Sequence, residues 1–569
     1  MIKVDNNTIL EVENLTVAFG DNRVVDNISY TLRRGRTLGI VGESGSGKSV
    51  SSMALMGLLP KQATVSGTAL LGAESGERRA ESINLLGLDE EGFRAIRGKR
   101  ISMIFQEPMT SLNPVQKCGE QVLEMVQAHQ NNQSNRRERV IELFKEVLLP
   151  RPEKIFDSYP HELSGGQKQR VMIAMALINH PDIIIADEPT TALDVTVQKT
   201  ILDLLHELQT KHGMSIIFIT HDLGVIAQVA DDIVVMYHGK VVESGPADEI
   251  LHTPQQSYTK GLLACRPPTD SRPYRLPTVE DFMKGRKSEA ETGRMPDLQP
   301  PTSDLRPKLI EVRNLDVTYT LKKNLFGKPL QTLKGVDGVS FDIMEGETLG
   351  LVGESGCGKT TLGRALLRLI DHSAGNISYR GTPIDQLNGK QMRALRPKLQ
   401  IIFQDPYSSL NPRITIGEAI AEPLKVHRRN LTNQSTPKDT VFELMEQVGL
   451  PADWYSRYPH ELSGGQRQRV CIARALILQP ELVICDESVS ALDVSVQAQV
   501  LNLLNDLKEH YHYTYLFITH DLSVVHYMAD RIIVMQKGKV VESGTPNDLF
   551  LRPQTGYTRT LIDAIPRID

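Results

Sequence analysis

The chain is a tandem repeat, which limits the fold to two copies of one unit. Four segments of the first half return in the second half, nearly unchanged and in the same order. The pairs are GESGSGKS at 42–49 and GESGCGKT at 353–360, YPHELSGGQKQRV at 159–171 and YPHELSGGQRQRV at 458–470, FITHDL at 218–223 and 517–522, and GKVVESG at 239–245 and 538–544. A chain of 569 residues exceeds the size of a single hydrophobic core, so each copy is expected to fold around its own core.

The repeat also predicts the domain boundaries. The first unit covers about 8–265 and the second covers 308–569, with a linker at 266–307. Proline and charged residues dominate the linker and no hydrophobic period runs through it, so we expect an extended, partly disordered segment. The two copies differ in length at two places. The first copy has an additional polar stretch at 72–84, which is predicted to be a surface loop. The second copy has an insertion at 321–331, which is predicted to lie at a strand turn.

Composition excludes several classes of protein. The 64 Lys and Arg residues nearly balance the 69 Asp and Glu residues, whereas a generic nucleic-acid binder has a basic excess. No apolar run approaches the ~18 residues of a membrane span, and the first residues lack the apolar core of a signal peptide. The five cysteines are dispersed, which excludes a disulfide framework and a Cys-rich zinc or iron–sulfur site: Cys118, Cys265, Cys357, Cys471 and Cys485.

Each unit is predicted to be an α/β domain. Short β-branched runs are typical of buried parallel strands, and the amphipathic stretch at 197–212 is typical of a helix between them. The strand candidates are TLGIV at 37–41, DIIIA at 182–186 and SIIFIT at 215–220. Alternating strands and helices predict a doubly wound sheet with right-handed crossovers. The segments 107–160 and 405–459 are rich in helical patterns and are expected to form an inserted helical subdomain.

A glycine-rich phosphate loop follows an apolar strand in each unit and precedes a helical stretch. Its glycines let backbone N–H groups turn toward phosphate oxygens, and the helix N-terminus adds a positive dipole. Lys48 and Lys359 are expected to reach the β- and γ-phosphates, while Ser49 and Thr360 offer a hydroxyl to Mg²⁺. The loop residues expected to contact nucleotide are Gly42, Ser44, Gly45, Gly47, Lys48 and Ser49 in the first unit, and Gly353, Ser355, Gly356, Gly358, Lys359 and Thr360 in the second.

An acidic pair follows a buried strand in each unit, Asp187-Glu188 and Asp486-Glu487. Carboxylates at the carboxyl ends of such strands lie at the crevice where open α/β sheets bind ligands. The Asp is suited to hold Mg²⁺ through water and the Glu to polarise an attacking water. The alternative is a capped strand end with a solvated acidic pair.

Two further residue types recur at matching positions, where the residues alone favour a structural role. Gln106 and Gln404 follow a strand in FQEPMTSLNP and FQDPYSSLNP, and His221 and His520 follow an apolar strand and a threonine. An isolated Gln is more often a surface residue, and an isolated His is more often structural than catalytic.

The order of these motifs in both units closely resembles the ATP-binding cassette (ABC) ATPases, over nearly the whole of each unit. The phosphate loop, Gln, LSGGQ signature, Asp-Glu, Ala-Leu-Asp and Thr-His-Asp occur in that order twice. The resemblance implies a P-loop (RecA-like) core with an antiparallel β part, a helical subdomain and a C-terminal tail. It also implies that ATP and Mg²⁺ bind between the cassettes. The loop of Lys48 would face Ser463, Gly464, Gly465 and Gln466, and the loop of Lys359 would face Ser164, Gly165, Gly166 and Gln167.

The resemblance implies roles for the remaining residues. Glu188 and Glu487 match the general base of the family, and His221 and His520 match the histidine that contacts the γ-phosphate. Asp187 and Asp486 match the Mg²⁺-associated Asp. With Gln106 and Gln404, which match the glutamine that senses Mg²⁺ and the membrane partner, and with Ser49 and Thr360, they form the expected metal site.

Three further features of the ATP sites follow from the same resemblance. Asp194 and Asp493 match the loop that couples the two sites. Phe19 and Tyr319 match the aromatic residue that stacks on adenine, although a core aromatic is the alternative for both. One position departs from the pattern: Ser488 stands where the first unit has Pro after the Glu. Because every motif residue is present twice, two competent sites are expected.

The branch resembled is the peptide/nickel importer branch, which includes oligopeptide, dipeptide and glutathione importers. Both Gln motifs continue to S-L-N-P, YPHE precedes both signatures, and the tails match at 254–267 and 554–566. The resemblance implies two integral membrane permease subunits, an extracytoplasmic solute-binding protein, and a location on the cytoplasmic face of the bacterial inner membrane. With Cys265 alone in the first tail, no iron–sulfur cluster is expected.

Two alternatives to a peptide importer remain open at this point. One is an importer ATPase for nickel, opine or another small solute. The other is a non-transport tandem ABC protein, either a translation factor or a DNA-repair ATPase. A translation factor would be expected to have a long charged helical linker and basic patches, whereas this linker is interrupted by prolines and the chain has a net negative charge. A DNA-repair ATPase would be expected to have zinc-binding cysteines, which the sequence lacks.

Overall fold

The computed structural model describes residues 7–72, 82–106, 111–129, 135–191, 193–285, 306–323, 329–427 and 437–568. Three expectations therefore fall partly outside the described residues. These are the surface loop at 72–84, of which 73–81 is not described, the insertion at 321–331, of which 324–328 is not, and the linker, of which 286–305 is not.

The first unit contains two sheets. Its strands are β1 Thr8–Phe19, β2 Asn22–Arg33, β3 Thr37–Val41, β4 Ala63–Leu71, β5 Ile83–Asn84, β6 Ile101–Ile104, β7 Ile183–Asp187, β8 Ser215–Thr220, β9 Asp232–Tyr237 and β10 Lys240–Pro246. An antiparallel sheet has the order β2-β1-β4-β5, and a second sheet has the order β10-β9-β3-β8-β7-β6. In the second sheet only β10 runs antiparallel to its neighbour. The three predicted strands are β3, β7 and β8, and every residue in them is buried.

Helices cover the second sheet and form an insert beyond it. They are α1 Lys48–Leu55, α2 Glu90–Ile96, α3 Cys118–His129, α4 Arg136–Glu146, α5 Pro152–Phe156, α6 Gly165–Leu177, α7 Val195–His212, α8 Leu223–Ile226, α9 Ala247–His252, α10 Ser257–Ala264 and α11 Val279–Met283. The predicted helix at 197–212 lies within α7, which begins where the Asp194 side chain accepts the N–H of Val197 at 3.0 Å. The predicted helical insert contains α3, α4 and α5 between β6 and α6.

The second unit repeats this arrangement. Its strands are β11 Lys308–Lys323, β12 Pro329–Met344, β13 Thr348–Val352, β14 Ala374–Tyr379, β15 Thr382–Pro383, β16 Leu399–Ile402, β17 Leu482–Asp486, β18 Thr514–Ile518, β19 Arg531–Gln536 and β20 Lys539–Gly544. Its helices are α12 Lys359–Leu366, α13 Gly389–Leu395, α14 Pro406–Ser409, α15 Ile416–His427, α16 Pro437–Gln447, α17 Gly464–Leu476, α18 Val494–Tyr511, α19 Leu522–Met528, α20 Pro546–Leu551 and α21 Gly556–Asp563. The sheet orders are β12-β11-β14-β15 and β16-β17-β18-β13-β19-β20. Strands β11 and β12 pair as a long hairpin, and the described ends of the predicted insertion, 321–323 and 329–331, lie in these two strands.

Residues 266–285, at the start of the predicted extended linker, are folded. Helix α11 packs against α10 so closely that a Cβ on Gly261 would lie 2.9 Å from the Cα of Val279. Before α11, the buried Leu276 lies on the second unit: its N–H donates to Asn502 Oδ1 at 2.9 Å and its carbonyl accepts from Asn502 Nδ2 at 2.8 Å. The segment is folded because it buries apolar side chains and pairs its backbone, which its proline and charge content did not indicate.

Within the described ranges, no helix combines the length and the apolar character needed to cross a membrane.

Candidate nucleotide sites

The first phosphate loop connects β3 to α1. Gly42 has φ 152°, and a Cβ there would lie 2.2 Å from the carbonyl oxygen of Met236, so the loop requires glycine at this position. The Lys48 ammonium is buried beneath the loop and donates to the carbonyl oxygens of Gly42 at 2.7 Å and Glu43 at 2.9 Å. Burial lowers the pKa of Lys48, although nearby carboxylates, Glu188 first among them, oppose the shift.

The second phosphate loop has the same geometry between β13 and α12. Lys359 donates to the carbonyl oxygens of Gly353 at 2.6 Å and Glu354 at 3.0 Å. The Cys357 thiol lies 3.9 Å from the same ammonium and is buried, which raises its pKa. Both loops therefore hold a buried cation under the backbone that would face phosphate oxygens.

A hydroxyl and a carboxylate meet at the start of each loop helix. Ser49 Oγ donates to Asp187 Oδ1 at 2.9 Å, and Thr360 Oγ1 donates to Asp486 Oδ1 at 2.9 Å. Burial raises the pKa of Asp187 to about 6, and it raises the pKa of Asp486 as well. A carboxylate whose charge is disfavoured by burial is suited to a cation beside it, so these oxygens fit Mg²⁺.

Glu188 lies where three predicted site residues converge. Its carboxylate accepts from Gln106 Nε2 at 3.0 Å and lies 3.3 Å from His221 Nδ1. Burial would raise the pKa of Glu188, but the hydrogen bonds from His221 and Thr191 and the charges of His221 and Lys48 outweigh burial and lower it to about 2. Burial likewise opposes the protonation of His221, but Glu188 outweighs it and raises the pKa of that imidazole. The site therefore holds an ionised carboxylate against a histidine that is readily protonated.

Glu487 has the matching environment in the second unit. It accepts from Gln404 Nε2 at 2.7 Å, and His520 Nδ1 lies 3.7 Å away. Burial opposes ionisation of Glu487, but His520 and then Lys359 outweigh it and lower the pKa. Both glutamates have φ 47°, in the left-handed region. Such strain in a non-glycine residue is concentrated at functional sites.

Thr191 was not among the predicted site residues. Its hydroxyl donates to Glu188 Oε2 at 2.8 Å, whereas the matching Ser490 hydroxyl donates to the carbonyl oxygen of Glu487. Both copies have a hydroxyl residue at this position, Thr191 in DEPTTALD and Ser490 in DESVSALD, and this repetition could have indicated Thr191 as a site residue. Ser488, the residue that departs from the family pattern, is buried.

Each LSGGQ segment begins a helix. The Ser164 hydroxyl accepts the N–H of Gln167 at 3.4 Å, and the Gln167 side chain accepts the N–H of Ser164 at 3.0 Å. Ser463 and Gln466 repeat this reciprocal cap. A Cβ on Gly465 would lie 2.2 Å from Val496, so glycine lets the signature helix α17 approach the start of α18. Gly166 and Val197 repeat that approach in the first unit.

The two units contact each other through their phosphate loops. Asp493, just before α18, accepts the N–H of Ser44 at 3.1 Å and its hydroxyl at 2.9 Å. In the opposite direction, Thr196 donates to Glu354 Oε1 at 2.9 Å. Within the described residues, the hydrogen bonds of the Asp194 side chain are to Thr196 and Val197 of its own helix. Each phosphate loop therefore lies against a segment of the other unit. That segment packs on the signature helix of its own unit.

The two aromatic candidates have different surroundings. Tyr319 is 39% exposed, and its hydroxyl lies 3.2 Å from the hydroxyl of Thr361 in α12, directly after the second phosphate loop. Phe19 is partly buried against the core of the first antiparallel sheet. The structure therefore brings Tyr319 to its phosphate loop and leaves Phe19 with the core contact that was its alternative.

Over the described ranges, no group of three or more His, Cys, Asp and Glu residues could hold a metal ion. All five cysteines are free and buried.

Comparison with known proteins identifies the family. The model of the family described as ABC transporter matches residues 25–191 and 336–490. The model described as oligopeptide/dipeptide transporter, C-terminal region, matches 242–289 and 541–569.

Individual relatives match over nearly the whole chain. The glutathione import ATP-binding protein GsiA of Shigella dysenteriae serotype 1 (strain Sd197) is 45% identical, over 99% of this chain and 90% of the relative. The protein of that name from Escherichia coli (strain K12) is 46% identical over the same shares. Among solved structures, the dimeric ATP-binding cassette MJ0796 bound to ADP and Pi is 26% identical, covers 42% of this chain and 98% of that chain, and has a TM-score of 0.38. The chain belongs to the ABC transporter ATP-binding proteins and is an ATPase with two cassettes in tandem.

Proposed function

We propose that this chain is the ATP-hydrolysing subunit of an importer for peptides or peptide-like solutes of the dipeptide, oligopeptide or glutathione class. The observation that carries the proposal is the pair of tails, both of which match the oligopeptide/dipeptide transporter C-terminal region. The relatives named for glutathione import, at 45–46% identity over both cassettes, favour the same class over nickel or opine import.

In the proposed mechanism, Mg²⁺·ATP binds at each phosphate loop. Lys48 and Lys359 contact the β- and γ-phosphates. Ser49 with Asp187 and Gln106, and Thr360 with Asp486 and Gln404, would hold Mg²⁺. The 2.9 Å hydroxyl–carboxylate pairs and the burial of both aspartates support this assignment. The bound metal would supply positive charge to the phosphate oxygens.

Glu188 and Glu487 act as general bases that orient and deprotonate the attacking water. Their lowered pKa keeps them ionised, and the histidines His221 and His520 hold them while contacting the γ-phosphate. The hydrogen bonds from Gln106 and Gln404 link each base to the face on which a permease would dock.

The two sites are proposed to be composite, with one cassette's phosphate loop facing the other's signature. The contact of Ser44 with Asp493 and that of Thr196 with Glu354 support this pairing. ATP would draw the cassettes together, and hydrolysis would release them, as in two-state motions biased by a ligand. The cassettes at 8–265 and 308–569 would thus close about the segment at 266–307.

Two integral membrane permeases and an extracytoplasmic solute-binding protein complete the proposed importer, with this chain on the cytoplasmic face of the bacterial inner membrane. A groove beside Gln106 supports permease docking. It has a cavity volume of about 400 Å³ and is lined by apolar side chains that include Leu58, Phe105, Met125 and Met175. Leu58 and Phe105 are 40% and 39% exposed, as expected for a face that a partner helix covers.

The assembly is tested by affinity purification of the full chain from its own membranes, followed by reconstitution into liposomes. We expect two permeases to co-purify, and ATP-dependent uptake of a dipeptide or glutathione once the binding protein is added. Uptake of nickel alone would contradict the peptide class, and co-purification with ribosomes would contradict the importer.

The catalytic assignment is tested by Glu188→Gln and Glu487→Gln in the same assembly. Loss of a general base reduces the rate roughly 10²–10⁴-fold, so each change should abolish hydrolysis at its own site. Phosphate release per cassette in single-turnover experiments measures this. A variant that hydrolyses ATP like the unmodified chain would remove that glutamate from the mechanism.

A further inference from the structure

The tail of each cassette touches that cassette's own phosphate loop. The Tyr258 hydroxyl, in α10, accepts the backbone N–H of Glu43 at 3.2 Å. The Tyr557 hydroxyl, in α21, accepts the N–H of Glu354 at 3.0 Å. The contact therefore occurs at the same loop position in both copies, whose sequences around the tyrosines differ at most other positions.

The tyrosine is built into the site rather than resting on its surface. Tyr258 is 2% exposed, and its ring centroid lies 4.3 Å from that of Tyr237 at the end of β9. Burial raises the pKa of both Tyr258 and Tyr557, so each hydroxyl stays neutral. Tyr258 is buried and Tyr557 is partly buried, and a neutral hydroxyl held in this way against one amide is a fixed hydrogen-bond acceptor.

The tail is held in place by the repeated segment GKVVESG. The Glu243 carboxylate, in β10, accepts the N–H groups of Gln255 at 2.6 Å and Gln256 at 3.3 Å and the hydroxyl of Thr259. These contacts fix the turn into α10 and thereby the position of Tyr258. They also explain why the spacing between this glutamate and the tyrosine is the same in both copies, 243–258 and 542–557.

The second copy has the same anchor. Glu542 accepts the N–H of Gln554 at 2.7 Å, the N–H of Thr555 at 3.0 Å and the hydroxyl of Thr558 at 2.6 Å. Burial opposes ionisation of Glu542, but these hydrogen bonds outweigh it and lower the pKa, so the anchor is ionised.

The peptide groups on either side of Glu43 are held from two directions. The N–H of Glu43 is bound by Tyr258, and its carbonyl oxygen is bound by Lys48 at 2.9 Å. Glu354 is held in the same way by Tyr557 and Lys359. The tail thus fixes the loop residue beside Gly42 or Gly353, where the loop turns toward the expected phosphates.

We propose that Tyr258 and Tyr557 are positioning residues for ATP, each preorganising the phosphate loop of its own cassette from the C-terminal tail. The inference rests on the proposed function, in which these loops bind the phosphates. A loop that is ordered before binding loses less conformational entropy on binding, so the hydroxyl increases affinity without touching the nucleotide.

The test uses the full chain with Tyr258→Phe or Tyr557→Phe, changes that remove only the hydroxyl. Photolabelling with 8-azido-ATP, assigned to each cassette by peptide mass spectrometry, gives the concentration for half-maximal labelling. We expect it to rise about 3- to 10-fold in the altered cassette alone, as for the loss of one hydrogen bond. The KM for ATP should rise while kcat changes less.

Tyr237→Phe is the matched control, because the Tyr237 ring packs against Tyr258 at an interplanar angle of 38° and its hydroxyl has no hydrogen bond within the described residues. It should leave labelling and the thermal midpoint unchanged, and the two tail variants should share that midpoint. Unchanged labelling in the altered cassette, or an equal loss in both cassettes, would overturn the inference. Lys48→Ala separates the two proposals: if the first cassette still labels without Lys48, the proposed site fails whatever the tyrosines do.

Discussion

Asp187 and Glu188 are neighbours in the chain, yet their surroundings shift their pKa values in opposite directions. Burial dominates at Asp187 and raises its pKa to about 6, while hydrogen bonds and cations outweigh burial at Glu188 and lower its pKa to about 2. The opposed pKa shifts of these adjacent carboxyl groups support the proposed division of roles, in which Asp187 would bind the metal and Glu188 would act as the base. Ionisation is less favourable at Asp187 than at Glu188, so a cation would stabilise the charge of Asp187 more.

We expect Asp187→Asn to stabilise the chain when Mg²⁺ and ATP are absent. The folded-state pKa of about 6 lies above the ordinary value, so the folded state binds this proton more tightly. The resulting stabilisation is present below about pH 4 and is lost as the pH rises through 6, a difference of roughly 2–3 kcal/mol. Asn is neutral and still accepts from Ser49, so its advantage should appear above pH 7.

Thermal unfolding at pH 5 and pH 8, with EDTA present, measures this effect. The midpoint should exceed that of the unmodified chain at pH 8 and differ less at pH 5. Asp486→Asn is the matched variant in the second cassette, where burial also raises the pKa. A midpoint that falls equally at both pH values would contradict this prediction, because an effect of the Asp187 charge must differ below and above its pKa.

The motifs place Lys48, Glu188 and His221 at fixed points along the chain, and the structure brings Glu188 and His221 together at 3.3 Å. Their roles stay predictions, and the motifs did not indicate most of their contacts. The contact of Gly224 with Arg266 of the tail is one that no motif indicates. A Cβ on Gly224 would lie 1.5 Å from Nη1 of Arg266, so the contact requires glycine at this position. Contacts between distant segments depend on the folded chain and leave no local pattern.

Among the elements, the buried parallel strands were the most predictable. A run such as TLGIV is buried on both faces of the sheet and carries its signal within five residues. The antiparallel β10 at the edge of the same sheet has no such run. The strap formed by 270–276 was not predicted, because its stability comes from Asn502 and other residues of the second cassette.

We expect Asn502→Leu to release this strap. Asn502 is buried and pairs both backbone groups of Leu276, so Leu would leave an N–H and a carbonyl unpaired. Each unpaired buried group costs about 1–3 kcal/mol. Hydrogen exchange of 270–278, followed by mass spectrometry, should accelerate by more than tenfold.

Arg275→Ala is the control for the strap. Arg275 pairs with Asp506, but the two side chains are 45% and 50% exposed, and exposed ion pairs contribute about 0–1 kcal/mol. Its exchange should therefore stay close to that of the unmodified chain. If the two variants exchange alike, the buried asparagine does not hold the strap.

At the scale of the whole molecule, the two cassettes have matching motifs but differ in their contacts across the interface. Asp493 reaches Ser44 and lies 4.0 Å from His221 of the opposite cassette, whereas Asp194 remains with its own helix. The duplicated sequence predicts two equal sites, and it could not predict this difference because the residues themselves are the same. Whether this Asp bonds to the other cassette depends on how the facing surfaces of the two cassettes fit together.

The proposed pairing of one cassette's phosphate loop with the other cassette's signature predicts how substitutions in the two cassettes combine. Lys48 and Ser463 lie in different cassettes, yet Ser44 contacts Asp493, and the segment after Asp493 packs on the signature helix of Ser463. Lys48→Met and Ser463→Arg should therefore each weaken azido-ATP labelling of the first cassette by tenfold or more. Lys48→Met removes a charged hydrogen-bond donor, which costs about 1.5–3 kcal/mol, and Ser463→Arg places a large side chain where the signature would contact phosphate. Combining them should add little, because both changes remove the same site.

Ser164→Arg is the matched variant for the opposite site and should weaken labelling of the second cassette alone. Added to Lys48→Met, it should remove labelling from both cassettes, since the two changes then affect different sites. These ratios should not depend on protein concentration, because one chain holds both halves of each site. If Ser463→Arg reduced labelling of its own cassette instead, each signature would serve the loop of its own cassette, and the interface formed by Ser44 and Asp493 would have no part in binding ATP.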